Sequence, residues 1–369
     1  MREAKFMSRA ITLAMRGRPH TAPNPCVGAV LVHNDVIVAE GYHTACGKPH
    51  AEVEALRDAK TKGITPSHCT LYVTLEPCNH HGKTPPCTKA ILDAGIKRVV
   101  VGCKDPNASV QGGGFEFLRQ HGVQVDVGVK EQECLDLIAD FMVWQRTKRP
   151  FSILKLATTL DGRIATSSGH SAWISNEKSR REVHRLRSWC DAIIVGGGTF
   201  RADNPALTCR LKGYTGTQPV AVVVSGNLPD RFDYELLVER PSETIFWTTE
   251  AESRSSRSSQ LTELGCTVWG LPPASDGLDL HAGFELLRRE RSCHYTLTEG
   301  GGRLAGSLRQ QGLIDEFWLF QALKVLGDAQ AKPAFAGRSV ESMQDCWQFR
   351  LLERRFLDSD LFMRLRSKE

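Results

Sequence analysis

Residues 50–59 read HAEVEALRDA and residues 75–87 read LEPCNHHGKTPPC. The first opens on a proline-preceded histidine and continues with apolar residues at helical spacing. The second leaves the β-rich run TLYVTLE and ends on a cysteine that is again preceded by proline and followed by TKAILDAG, a second helical pattern. Outward from these stretches, CVGAVLVHNDVIVAEGYH gives two β-rich runs about a turn at Asn34-Asp35. Upstream, Met7, Ala10, Ile11 and Ala14 mark an amphipathic helix. Downstream, RVVVGC reads as a strand, GGFEFLRQHG as a helix and VQVDVGV as a strand. This alternation predicts an α/β layer fold on one largely shared sheet.

The chain has 369 residues, and one domain per ~150 residues predicts two domains. QRTKRP, ending at Pro150, is polar, basic and closed by proline, and the strand pattern restarts at FSILKLATTLDGRIA. The boundary is placed there, giving domains over 1–148 and 149–369. In the second half AIIVGGG, PVAVVVS, TIFWTT, TVWGL and YTLTEGGG read as strands with helices between several of them. The serine-rich EAESRSSRSSQ reads as an exposed turn or helix start, and no solenoid repeat is visible.

With 41% hydrophobic and 24% charged residues, each half can bury its own core. The net charge of +5 is small, and Lys and Arg are mixed with Asp and Glu, which favours small anionic ligands over nucleic acid. Twelve irregularly spaced cysteines argue for a reducing compartment, hence a cytoplasmic location. The N-terminus is charged throughout, without the apolar core of a signal peptide, and no run reaches the ~18 apolar residues of a membrane span.

His50, Cys78 and Cys87 supply one imidazole and two thiolates, the donor set of a catalytic zinc that keeps a fourth position for water. The metal lowers the pKa of that water toward neutrality. Two helix N-termini face the metal and favour thiolate over thiol. Glu52, two residues after His50, is placed to shuttle protons. A closed structural site is the alternative, with Cys46, Cys69, His80 or His81 as fourth ligand. Against it stands H-A-E paired with P-C, which follows the zinc-deaminase pattern except for the spacing to its last cysteine. Cys103, Cys134 and Cys190 read as core residues.

TAPNPCVGAVLV, GYHTACGKPHAEVEAL, YVTLEPCNHHGKTPPC and KDPN together resemble the deaminases of bacterial riboflavin biosynthesis, a branch of the cytidine deaminase superfamily. The usual superfamily spacing of two residues between cysteines is replaced here by NHHGKTPP, an insert typical of that branch. The resemblance implies a three-layer α/β/α domain, one Zn²⁺ per chain, and hydrolytic loss of an amino group from a diaminopyrimidine ribosyl phosphate. It further implies Glu52 as proton shuttle, with Asn24, His43, Lys83, Thr84, Asp105 and Asn107 around the base and ribose phosphate.

The second half carries two strand-to-glycine transitions. In YTLTEGGGRLAGSL, Gly300, Gly302 and Ala305 fit G-x-G-x-x-A, although no acid follows at the spacing a dinucleotide fold requires. In AIIVGGGTFRADNPALTCR, glycines 196–198 admit a cofactor, while Arg201 and Arg210 are candidates to hold an anion. Two ordinary turns with surface arginines remain the alternative. KLATTLDGRIA, SGHSAWIS, GGGTFRADNPALTCR and TEGGGRLAG are similar to the reductase domain that bacteria fuse behind this deaminase, a relative of dihydrofolate reductase in fold. That resemblance implies reduction of a ribosyl group to ribityl by NADPH. Lys155 and Asp203 are the candidates for local proton chemistry, and a structural ion pair is the other reading of both. Ser171, Arg187, Leu207, Arg210 and Glu299 match substrate contacts, and Ala157, Trp173, Thr199, Asp203 and Ser225 match cofactor contacts. So do Gly301, Gly302, Arg303, Leu304, Ala305, Gly306 and Ser307. A cation that selects the 2′-phosphate of NADPH is not identifiable from the sequence.

The expectation is therefore a two-domain enzyme of small molecules that binds neither nucleic acid nor membrane. Relatives of this architecture self-associate, which implies a homodimer or homotetramer. A nucleic-acid deaminase with an unrelated appendage is a rival reading, but it needs aromatic stacking near the metal, and between His43 and His81 the sequence offers Tyr72 alone. A zinc-stabilised nucleotide sensor is another, and it would make Glu52 dispensable.

Overall fold

The computed structural model describes residues 2–80, 85–106, 113–275 and 277–368. The chain divides into two compact units, the first ending at Thr147 and the second beginning at Lys148.

In the first unit α1 (Arg2–Thr21) buries Phe6, Met7, Ala10, Leu13, Ala14 and Gly17, one stripe at helical spacing. Leu13 is in that stripe while Ile11 is only half-buried, so the apolar face is rotated slightly from the one read in the sequence. β1 (Gly28–His33) and β2 (Val36–Tyr42) form an antiparallel hairpin. Asn34 and Asp35 both adopt positive φ, 49° and 60°, as a two-residue hairpin turn demands. β3 (Thr70–Leu75) pairs antiparallel with β1, and β4 (Arg98–Cys103) and β5 (Gln124–Val127) continue in parallel. The strand order is β2-β1-β3-β4-β5.

One face of this sheet carries α2 (Ala51–Thr61), α3 (Cys87–Asp93) and α4 (Gly114–Gln120), packed on Leu31, Val73, Val99 and Val101. The other carries α1, followed later by α5 (Glu131–Leu137) and α6 (Ala139–Arg146). This is the expected α/β/α layering. Gly28 is required where α1 crosses β1, because a Cβ there would lie 2.0 Å from the Ala10 carbonyl oxygen.

The second unit starts with β6 (Phe151–Thr158) and β7 (Arg163–Ala165), then α7 (Glu177–Arg187), β8 (Ala192–Gly196) and α8 (Gly197–Asp203). β9 (Val220–Val224), α9 (Glu235–Glu239), β10 (Thr244–Thr249), α10 (Ser256–Glu263) and β11 (Thr267–Leu271) follow. The short β12 (Pro273–Ala274) and β13 (Gly277–Leu278) lead to α11 (Leu280–Arg291), β14 (Tyr295–Glu299) and α12 (Gly302–Gln310). Then come β15 (Glu316–Gln321), β16 (Lys332–Pro333) and a hairpin of β17 (Phe349–Leu357) with β18 (Asp360–Ser367).

Nine strands form one sheet in the order β11-β10-β9-β8-β14-β6-β15-β18-β17. From β11 to β15 every pairing is parallel, and β18 closes the array antiparallel to β15. Parallel strands covered on both faces read as continuous apolar runs, as AIIV and VAVVV do here. A parallel array also gathers its carboxyl ends along one edge, where ligands of open α/β sheets bind. The serine-rich stretch starts α10, whose Ser255 caps it by accepting the Ser258 N–H.

Among the described residues, no helix is long and apolar enough to cross a membrane.

Candidate active sites

In the first unit the ligand side chains come from element ends. His50 is the N-cap of α2, Cys78 follows β3, and Cys87 opens α3 behind Pro86. His50 Nδ1 lies 3.2 Å from Cys87 Sγ and 3.5 Å from Cys78 Sγ. Around a tetrahedral zinc, normal bond lengths put a nitrogen and a sulfur ligand about 3.5 Å apart, so the donor set fits that metal as it stands. The Cys87 backbone N–H donates to Cys78 Sγ at 3.4 Å. The two sulfurs divide one proton between them. Their mutual hydrogen bond pulls Cys78 down to about 4, burial opposing, and pushes Cys87 up. Among the described residues, His50, Cys78 and Cys87 alone form a metal-binding cluster. Cys69 instead points at the Thr65 carbonyl, Cys46 and His80 are exposed, and His81 lies outside the described residues.

A cavity of about 500 Å³ opens on this cluster. Glu52, in the first turn of α2, lines it at 3% exposure. Burial, and then the Cys78 thiolate, raise its carboxyl to about 7. Asn24, His43 and Asp105 line the same cavity. His43 Nδ1 contacts the Pro49 carbonyl at 3.0 Å, which places its proton on Nδ1 and leaves Nε2 to accept from the Asn24 amide at 3.3 Å. Burial holds His43 below its ordinary value, so it stays neutral. Lys83, Thr84 and Asn107 lie outside the described residues.

Sequence reading missed Glu76, whose carboxylate accepts the Asp105 N–H at 3.2 Å and the Phe115 N–H at 3.3 Å and so ties the loop after β4 to the cavity wall. Its signal was present: Glu76 is the acid inside LEPC. Phe141 and Gln145 of α6 also line the cavity and carried no local signal. The ion pair of Arg18 with Asp140, 3.0 Å and buried, holds α6 to α1.

The second unit has a cavity of about 1130 Å³ along the carboxyl edge of its sheet. Lys155 of β6 and Glu299 of β14 are register partners on adjacent strands. Arg187, the last residue of α7, reaches Glu299 with Nε at 2.6 Å and Nη2 at 3.1 Å, and its Nη1 donates to the Thr208 carbonyl. α7 is aimed by its start, where Asn176 accepts the Ser179 N–H and buried Asp360 of β18 accepts both the Asn176 N–H and the Ser179 hydroxyl. Burial depresses Lys155, Glu299 opposing and Arg187 adding to the effect. Burial likewise pushes Glu299 up, but Arg187 outweighs it and the carboxylate sits below its usual range.

The glycine turns after β8 and β14 touch each other: a Cβ on Gly300 would lie 3.6 Å from both the Gly196 nitrogen and Thr199 Oγ1. Of the named candidates, Ala157, Ser171, Trp173, Thr199, Asp203, Leu207, Ser225, Gly301, Gly302, Arg303, Leu304 and Ser307 line this cavity together with Lys155, Arg187 and Glu299. Trp173 is 69% exposed, with the Arg180 guanidinium stacked 4.6 Å over its ring. Partial burial raises Asp203, and Lys332 opposes.

Three candidates are placed elsewhere. Ala305 is in the core and Gly306 is packed against residue 336, where a Cβ would meet the Ala336 oxygen at 2.1 Å. Arg210 is exposed and off the cavity, because Cys209 exchanges two backbone hydrogen bonds with the Gln218 amide and turns the chain outward. Its own N–H donates to His184 Nδ1.

The first unit thus defines a zinc-type deaminase and the second an α/β reductase. Residues 1–103 match the "Cytidine and deoxycytidylate deaminase zinc-binding region" family and residues 150–362 the "RibD C-terminal domain" family. The chain belongs to the RibD family, the bifunctional deaminase and reductase enzymes of riboflavin biosynthesis. It is 41% identical to the riboflavin biosynthesis protein RibD of Synechocystis sp. over 88% of this chain and 85% of that one. It is 39% identical to RibD of Escherichia coli over 99% of each. The solved RibD of Acinetobacter baumannii superposes with a TM-score of 0.76 at 35% identity, covering 100% of this chain and 99% of that one. A deaminase/reductase structure from Thermotoga maritima gives 0.76 at 37% identity, with the same coverage.

Proposed function

We propose that the first unit binds one Zn²⁺ through His50, Cys78 and Cys87 and deaminates 2,5-diamino-6-(5-phosphoribosylamino)pyrimidin-4(3H)-one by hydrolysis. The second unit then reduces the ribosyl group of 5-amino-6-(5-phosphoribosylamino)uracil to ribityl with NADPH. The observation that carries the reading is Glu52, buried beside the ligand cluster in the cavity that Asn24, His43 and Asp105 line.

Zinc, when bound, makes water nucleophilic at neutral pH. Glu52 takes a proton from the attacking water and delivers it to the departing amino group, a role suited to a carboxyl buried beside the ligand cluster. Asn24, oriented by the neutral His43 ring that accepts its amide, holds the base, and Asp105, fixed by Glu76, holds the sugar.

NADPH, when bound, supplies hydride to C1′ of the opened sugar. Gly301 and Gly302 at the start of α12 offer backbone N–H groups to the pyrophosphate. Lys155, half-buried beside Glu299 on the adjacent strand, supplies the proton that accompanies hydride, its lowered pKa easing the transfer. Asp203, Ser171 and Leu207 orient the substrate and nicotinamide.

The same reading makes the protein a cytoplasmic homo-oligomer, a dimer or tetramer. The irregular spacing of twelve cysteines in a long chain supports a reducing compartment.

The test is Glu52→Gln. Zinc content should remain at the parent level, ammonia release should fall at least ~100-fold, and reduction of supplied deaminated product should be unchanged. Retained deamination would end this assignment.

A further inference from the structure

We infer that Arg201, working with Ser225, selects a 2′-phosphorylated nicotinamide cofactor over the unphosphorylated one; this rests on the proposed use of NADPH by the second unit. Six basic side chains line the cavity: Lys155, Arg180, Arg187, Arg201, Arg303 and Lys332. Most are already engaged. Arg187 and Lys155 face Glu299, Arg180 stacks on Trp173 and donates to the Ser175 carbonyl, and Lys332 acts on Asp203. Arg303 sits in the first turn of α12, next to the glycines that would receive the pyrophosphate.

Arg201 differs in how it is held. Its Nη1 donates to the Gly197 carbonyl at 2.9 Å and to Ser225 Oγ at 3.3 Å. Its Nη2 donates to Ser225 Oγ at 3.1 Å and to the Asn227 carbonyl at 3.2 Å. All three partners are neutral, so the fork is oriented while its charge remains uncancelled. Gly197 makes the arrangement possible: a Cβ there would lie 2.6 Å from Arg201 Nη1 and 2.4 Å from Ser225 Oγ.

The location matches an adenosine ribose. β14, β8 and β9 are successive neighbours, and α12 begins just past β14 while Ser225 lies just past β9. Two strand spacings, about 10 Å, therefore separate the pyrophosphate cradle from the Arg201 fork. A ribose with its 5′- and 2′-phosphates bridges a gap of that order. A guanidinium recognises a phosphate by two parallel charge-assisted hydrogen bonds, and the Ser225 hydroxyl, now donating to the Asn227 carbonyl at 2.6 Å, can turn to a phosphate oxygen. A bare 2′-hydroxyl is recognised by a carboxylate instead. The hydrogen-bond partners of Arg201 include none.

The test is titration of the full-length protein and of Arg201→Gln with NADPH, NADH, 2′,5′-ADP and 5′-AMP, read by calorimetry without substrate. The parent should prefer NADPH to NADH and 2′,5′-ADP to 5′-AMP. Arg201→Gln should weaken both 2′-phosphorylated ligands by about ten- to a hundred-fold and leave NADH and 5′-AMP within about twofold. Arg201→Lys, which keeps the charge and loses the fork, should fall between. Equal weakening of phosphorylated and unphosphorylated ligands, or an unchanged preference, overturns the assignment of Arg201. A parent that binds neither nicotinamide nucleotide removes the cofactor reading itself, and the selector role with it.

Discussion

Replacing Glu299 by Gln tests whether the reductase cavity is built around one shared carboxylate. Glu299 is the acid that meets Arg187 through two hydrogen bonds and acts on Lys155 across the β6–β14 pair. Side-chain exposures of 12% for Arg187 and 15% for Glu299 place the pair near the buried limit, where removing one partner costs about 3–5 kcal/mol. Glutamine keeps the shape and some hydrogen bonding, so about 3 kcal/mol is expected at pH 6. The cost must depend on pH, because Lys155 can shed its proton and Arg187 cannot. Burial already lowers Lys155, and losing Glu299 lowers it further.

Below both folded values Lys155 is charged in parent and variant, and the whole penalty is present. Between them only the variant has neutralised its lysine, so the penalty shrinks as pH rises. Urea unfolding followed by tryptophan fluorescence is the assay, since every tryptophan except Trp144 lies in the second unit. The difference between parent and variant should fall as pH is raised through the titration of Lys155, and adding Lys155→Met should recover stability on the acid side, where the lysine is charged. A penalty that is flat with pH, or no recovery in the double variant, would refute the shared-carboxylate account.

The second unit should also weaken in acid through His184. Burial, then Arg187 and Arg210, lower it from 6.5 to about 4. Its contribution is complete above pH 6.5 and disappears as pH falls toward 4. The gap is worth roughly 2–3 kcal/mol after allowance for partial exposure, and His184→Gln should flatten the dependence of urea midpoint on pH. Gly302→Ala puts a Cβ 2.3 Å from the Pro333 carbonyl oxygen. It should cost about 1–3 kcal/mol in the same unfolding assay. Cys78→Ser should lower zinc affinity by more than about 100-fold in a chelator competition, with hydride transfer by the second unit unchanged.

The local motifs were legible wherever a side chain's chemistry or a turn's geometry fixed its role. Asn34-Asp35 announced the hairpin because two successive positive-φ positions suit few other pairs. His50 and Cys87 announced the cluster because each stands at a helix start after a proline, and Cys78 completed the set from the end of a strand. The glycine runs were read less well. Gly302 belongs to the G-x-G-x-x-A match and Gly306 to the expected cofactor contacts, yet a Cβ on either would meet a backbone carbonyl of 333–336, a close approach between segments distant in the chain. Arg210 follows the family pattern but is turned out by Gln218, a contact no spacing encodes. Strands β17 and β18 escaped notice because charged residues interrupt their apolar pattern. In β17, RRF at 354–356 is exposed on the sheet edge.

Asp360 caps α7 from a strand made late in synthesis, and this orders events in time. The residues of the first unit are all made by Thr147, whereas α7, and with it Arg187, is not anchored until β18 has left the ribosome. At about 5–20 residues per second, the roughly 200 residues between them take on the order of 10–40 s. A chain cut short in that interval holds every ligand of the metal cluster but lacks the anchor of α7, so late truncation strikes the reductase cavity first.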